Sequence, residues 1–132
     1  MQTATERSLE IFVLIQLAVI GLSHTVAPRA WGEFFGWLHS KGEAGVFGMA
    51  FLTLWFGSII VAFHPVWLGL PIIITLLGWA QVVKGAIYFI FPRVGLKMLG
   101  RVKGDTTHLF RWPGLVLLVL TAVLGWNLFL RG

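Results

Sequence analysis

The chain has 132 residues, of which 58% are hydrophobic and only 11% charged, and its mean hydropathy is +0.88. A soluble domain carries about a quarter charged residues, so this composition excludes one and describes an integral membrane protein. The formal charge is +5 and there is no cysteine; the basic residues sit in loops beside apolar runs, which fits positive-inside topology rather than nucleic-acid binding, and thiol chemistry is excluded.

The first ten residues, MQTATERSLE, carry Glu6, Arg7 and Glu10. This net negative flank is unlike the basic start of a signal peptide, so the first apolar run reads as a retained span. Four runs are long enough for the about 20 residues of helix that a bilayer needs: Leu9 to Ala27, Ala44 to Phe63, Trp67 to Phe91 and Trp112 to Leu130. The connection between the second and third is only His64, Pro65 and at most Val66, which predicts a tight antiparallel hairpin, with Pro71 near the start of the third helix or kinking it.

Residues Gly21 to Leu38 and Gly85 to Val102 superpose at a shift of 64 residues, which aligns Gly21 with Gly85, Pro28 with Pro92, Arg29 with Arg93 and Gly36 with Gly100. After each Pro-Arg an apolar pattern follows, Trp31, Phe34, Phe35 and Leu38 in the first copy and Met98, Leu99 and Val102 in the second. That spacing describes one face of a helix lying at an interface. The fold expected is therefore all-α: a four-transmembrane-helix bundle in one membrane domain, residues 1–132. It is built from a duplicated helical hairpin, 9–63 and 67–130, with an amphipathic interfacial helix after spans one and three and a pseudo-twofold axis along the membrane normal.

Arg29 and Lys41, then Arg93, Lys97, Arg101, Lys103 and Arg111, occupy the two long loops, whereas Arg7 and Arg131 lie on the other side. Both long loops should face the cytoplasm and both termini the outside of a bacterial cytoplasmic membrane. Trp31, Trp37 and Trp112 then form a belt at one interface, and Trp67 and Trp126 at the other. Trp55 and Trp79 fall near mid-membrane, where two buried indoles could line a pocket, or the rings could pack or contact lipid. Small residues at Ala44, Gly48, Ser58 and Ala62 mark a face of the second span where another backbone can come close.

Chemistry-bearing residues are few. Glu6 and Glu10 read as preceding the first helix, so no carboxylate lies within a span, and this counts against a proton-coupled transporter. Gln81, Lys84 and Tyr88 stand at i, i+3 and i+7 on one face of the third span. Lys84 is the one formally charged residue inside a span, able either to hold an anion or a carbonyl with Tyr88 or to snorkel toward the interface. Gln16 and Gln81 lie at similar depth in spans one and three, placed to hydrogen-bond across the bundle. His24 sits one turn before Pro28 and His64 at the opposite membrane face, so the two cannot clamp one haem or metal. His24, His39, His108 and Glu33 match no ligand spacing, and phosphate loops, nucleophile elbows and paired carboxylates are absent.

The run Gly21, Leu22, then Pro28, Arg29, Ala30, Trp31 resembles the GL-x5-P-[KR]-A-W pattern of the YjeT-like family, small two-span bacterial inner-membrane proteins of unknown function. The chain departs from that pattern in having Ile20 where an acid is expected and in carrying a second hairpin, and the resemblance implies no activity. In layout alone it is similar to DoxX-like four-helix membrane proteins, which are linked to quinone or redox partners. The function expected is a non-enzymatic membrane interaction protein, an accessory subunit or homo-oligomer whose partners are the bilayer and another protein or copy. The alternatives are a small transporter or channel lined by Lys84, Gln81, Tyr88 and Gln16, and a quinone- or pigment-binding subunit using Trp55, Trp79 and His24. No cofactor is specified.

Overall fold

The computed structural model describes residues 2–105 and 107–131, and all its regular structure is helical. Six helices follow in order: α1 (Ala4–Val26), α2 (Pro28–Ser40), α3 (Glu43–Phe63), α4 (Ile72–Ile90), α5 (Pro92–Leu99) and α6 (Thr107–Arg131). Of these, α1, α3, α4 and α6 are long and apolar enough to cross a membrane.

Proline sets three of the helix ends. A residue before proline is driven out of the α region by the pyrrolidine ring. Accordingly α1, α3 and α4 stop at Ala27 (φ −125°, ψ 51°), His64 (φ −133°, ψ 66°) and Phe91 (φ −124°, ψ 70°), each followed by proline. Pro28 and Pro92 then open α2 and α5 at their first position, where a missing N–H costs nothing.

Two boundaries differ from the sequence reading. Helix α1 begins five residues before Leu9 because Thr3 and Glu6 form a reciprocal capping box: the Glu6 N–H donates to Thr3 Oγ1 at 3.1 Å and the Thr3 N–H to Glu6 Oε2 at 2.9 Å. Helix α4 begins at Ile72 rather than Trp67, because Gly69 adopts φ +71° and Pro71 serves as its N-cap. The connection between α3 and α4 is therefore eight irregular residues, His64 to Pro71, instead of a two- or three-residue turn.

The four long helices pack chiefly as two pairs, α1 along α6 and α3 along α4, while α1 and α3, neighbours in sequence, touch only briefly. Glycine sets the closeness within each pair. A Cβ on Gly57 would come within 2.7 Å of the Gly78 carbonyl oxygen, and one on Gly85 within 2.9 Å of the Leu54 nitrogen. On α1, a Cβ at Gly21 would meet the Leu118 nitrogen at 3.2 Å. In lipid, where burial of apolar surface gives little drive, such backbone approach and the dispersion contacts it permits hold helices together.

Two apolar clusters make up the core, the first between the two pairs and the second between α3–α4 and the short helices. Leu9, Val13, Leu14, Leu17, Ile60, Ile74, Leu124 and Leu128 form one, in the half that contains the chain termini. Leu38, Val46, Ala50, Tyr88 and Leu99 form the other, where α2 and α5 lie across the opposite end. Of the four residues expected on the apolar face of α2, Leu38 is buried and Trp31 and Phe35 are half-buried, whereas Phe34 is exposed, as is Trp37.

Candidate functional site

The most concentrated polar chemistry lies at the terminal end, in residues that the sequence reading placed outside the spans or left aside. With α1 starting at Ala4, Glu10 falls in its second full turn, on the same stripe as Val13, Leu14, Leu17 and Gly21, and it is only 3% exposed. The expectation that no span contains a carboxylate is thereby corrected. Opposite it stands His64, the C-cap of α3, whose ring is fully buried. His64 Nε2 lies 3.0 Å from Glu10 Oε1, and Nδ1 lies 2.9 Å from Thr75 Oγ1 on α4. Glu10 Oε1 also accepts from the side-chain amide of Gln2.

Thr75 closes the network on the irregular connection. Its Oγ1 is 3.0 Å from the His64 carbonyl and 2.6 Å from the Val66 carbonyl. Buried backbone in a nonhelical stretch needs partners that a helix ladder does not provide. Thr75, fixed in the first turn of α4, supplies one. No buried side-chain nitrogen or oxygen lacks a hydrogen-bond partner among the described residues.

A carboxylate, an imidazole and a hydroxyl in one line have the composition of a hydrolase triad, but the geometry does not perform that chemistry. A nucleophile must give its proton to the imidazole and reach a substrate. Here the hydroxyl faces two carbonyl acceptors and Thr75 is 1% exposed. The network is closed toward the bundle centre by the aliphatic cluster and approaches a cleft of about 290 Å³ on the other side, lined by Gln2, Glu6, Pro65, Val66, Leu68 and Arg131 among others.

The residues singled out from sequence are placed differently. Lys84 is half-buried and its Nζ lies 5.7 Å from the centre of the Tyr88 ring, one turn nearer the α5 end. Tyr88 is itself buried in the cluster beneath α2 and α5. The ammonium thus lies against an aromatic face. Gln81 and Gln16 are half-buried, and no hydrogen bond joins them among the described residues; the cross-bundle bond expected between them is absent there.

His24 belongs to an aromatic assembly at the α2 end. Its ring stacks on Trp31 at 4.1 Å between centres and leans on Phe110 at 5.6 Å, while Phe110 stacks on Phe35 at 5.3 Å. Nδ1 donates to the Ile20 carbonyl at 2.8 Å, and Trp31 Nε1 donates to Ser23 Oγ at 2.9 Å. Trp55 and Trp79 are 56% and 44% exposed, so neither lines an interior pocket with His24; both present their indoles outward, where lipid would lie. Among the described residues no group of three or more histidine, aspartate or glutamate side chains is arranged to hold a metal ion.

Glu10 was legible in principle. Thr3-Ala4-Thr5-Glu6 is a capping-box sequence, and extending the helix back to it carries Glu10 onto the buried stripe. His64 and Thr75 carried no such local signal, since only the folded connection brings them to Glu10. Comparison of the chain with protein-family models, with curated proteins and with solved structures finds no match.

Proposed function

We propose that this chain is a small, non-enzymatic membrane interaction protein that packs against another copy or a partner helix through the outward face of α3. The observation that carries this reading is one stripe on that helix. Ala44, Gly48, Phe51, Trp55, Ser58 and Ala62 recur at the helical period and are all exposed. Small pairs at both ends flank a central aromatic pair, Phe51 and Trp55, whose rings are 5.7 Å apart. Small residues allow close backbone approach and aromatic ones supply contact area. A Cβ added at Gly48 meets nothing within 4 Å, so this small position serves no packing inside the chain.

The test is Gly48→Leu. Cross-linking in native membranes should capture a dimer or a partner with the parent chain and lose it with the variant, while the thermal stability of the purified variant stays unchanged. A parent chain that is monomeric and captures nothing refutes the proposal. The transporter reading draws support from buried Glu10, but the aliphatic cluster beneath it fills the route a substrate would take. The quinone- or pigment-binding reading has less support, with Trp55 and Trp79 facing away from His24.

We further infer a multi-pass protein of a bacterial cytoplasmic membrane with both termini outside, as the charge distribution favours. Arg29, Lys41, Arg93, Lys97, Arg101, Lys103 and Arg111 are all exposed near α2, α5 and the loop that follows them. Descent from a duplicated hairpin accounts for a second regularity. Gly21 packs on Leu118 and Gly85 on Leu54, and both members of the pair are displaced by 64 residues. The α1–α6 and α3–α4 pairs exchange under the same relation, as a pseudo-twofold requires. In that arrangement α2 and α5 lie at the cytoplasmic interface with their basic residues toward anionic headgroups.

A further inference from the structure

We propose that Glu10 and His64 form a proton-binding site: the pair holds a single exchangeable proton, reached from the aqueous phase at the terminal end of the bundle through the cleft that Gln2 lines. The assignment follows from counting donors. The His64 and Val66 carbonyls can only accept, and both face Thr75 Oγ1, at 3.0 and 2.6 Å. The one hydroxyl proton is therefore spent on them, and the hydroxyl must accept from His64 Nδ1 at 2.9 Å. Nδ1 thus carries hydrogen in every state of the intact network.

With Nδ1 fixed as a donor, the 3.0 Å contact between Nε2 and Glu10 Oε1 needs one proton of its own. Either Nε2 carries it, giving imidazolium and carboxylate, or Oε1 carries it, giving neutral imidazole and carboxylic acid. Both are electrically neutral as a pair. The Gln2 amide donates to the same Oε1. Removing the proton sets two lone pairs against each other in a buried site; adding a second leaves a buried cation without its counter-charge.

The surroundings make the site answer to one side of the membrane. Toward the bundle centre Leu9, Val13, Leu14, Ile60 and Ile74 close it. Gln2 touches Glu10 and also lines the cleft, together with Val66, the acceptor of the Thr75 proton. The ionisable groups brought to this end are Glu6 and Arg7 from α1 and Arg131 from α6, Glu6 and Arg131 on the cleft wall. The charged or titratable residues of α3 and α4, namely Glu43, Lys84 and Tyr88, lie toward the other end.

Nitrogen-15 histidine and carbon-13 glutamate-carboxyl spectra of the full chain labelled at both residue types, in lipid nanodiscs and followed against pH, test the site. The expected result is a His64 Nδ1 that stays protonated throughout, with Nε2 and the Glu10 carboxyl changing together in one step. Glu10→Gln should abolish that step and leave Nε2 unprotonated at neutral pH, because the introduced amide can donate to its lone pair. Gln2→Ala should remove slow exchange of the Nε2 proton while keeping Nδ1 protonated. An Nδ1 that loses its proton in the folded protein, or separate titration of Glu10 and His64, overturns the proposal. The parent spectrum alone decides this if a variant does not fold.

Discussion

The two ends of the bundle solve the same problem with opposite chemistry. At one end, proline turns redirect the chain into α2 and α5, two further helices whose backbones satisfy most of their own groups and whose side chains cover the core with Leu38, Leu99 and the Trp31, Phe35 and Phe110 assembly. At the other, no helix lies across the core. The eight irregular residues from His64 to Pro71 must be tied down group by group, and Glu10 of α1 and Thr75 of α4 do so by holding His64 and the carbonyls of His64 and Val66. A surface covered by apolar side chains tolerates local change, because dispersion contacts are many and individually small. A buried network whose few polar groups depend on one another does not.

Removing one member of the polar end is accordingly the largest effect expected. Glu10→Ala leaves His64 Nε2 buried without a hydrogen-bond partner and should lower stability by about 1–3 kcal/mol, the range for stranding a buried polar group. Unfolding in mild detergent, read by tryptophan fluorescence, measures it. At the aromatic end Phe110→Leu removes a ring that stacks on Phe35 and leans on His24 but leaves no polar group stranded. The expected loss there is under about 1.5 kcal/mol, as for near-conservative apolar exchanges. If the two substitutions cost the same, the contrast between the ends is wrong.

The same contrast explains what the sequence made legible. The spans follow from apolar runs, a local signal; of the α2 face read from Trp31, Phe34, Phe35 and Leu38, Phe34 is exposed, because periodicity alone does not say which edge of a stripe meets the bundle. The proline turns could be read from two dipeptides. Glu10 lies inside the apolar run drawn from Leu9 but reads as part of the polar flank Thr3 to Ser8, and only the capping box, which carries the helix back to Ala4, sets it clearly within the first span. His64 and Thr75 lie 11 residues apart across irregular backbone, and 54 residues separate His64 from Glu10; no periodic pattern encodes such a meeting. Lys84 was ambiguous for a different reason: its stem is long enough to serve an interior site or to lean out, and Tyr88 gives it a surface on which to lean.

The smallest effect expected separates a solvated polar contact from the buried ones. Asp105, fully exposed before α6, accepts from the Thr107 N–H at 3.0 Å, and that backbone bond, with the Thr107 side chain and the nearby charges of His108 and Arg29 adding to it, holds its carboxyl below the usual aspartate value. A carboxyl depressed in the folded chain stabilises above its unfolded value, and that contribution is lost as the pH falls through the folded one. The first turn of α6 should therefore fray only in acid, below about pH 4, the ordinary range for aspartate. Amide exchange at Thr107 to Phe110 followed from pH 6 downward reads this, and Asp105→Asn, which keeps an acceptor without a titrating group, should flatten the profile. Salt should weaken the charge contributions to this contact while leaving the buried Glu10–His64 pair nearly untouched, since screening acts on exposed charges far more than on buried ones. An α6 start that frays equally at every pH would show that the Asp105 bond does not hold that turn.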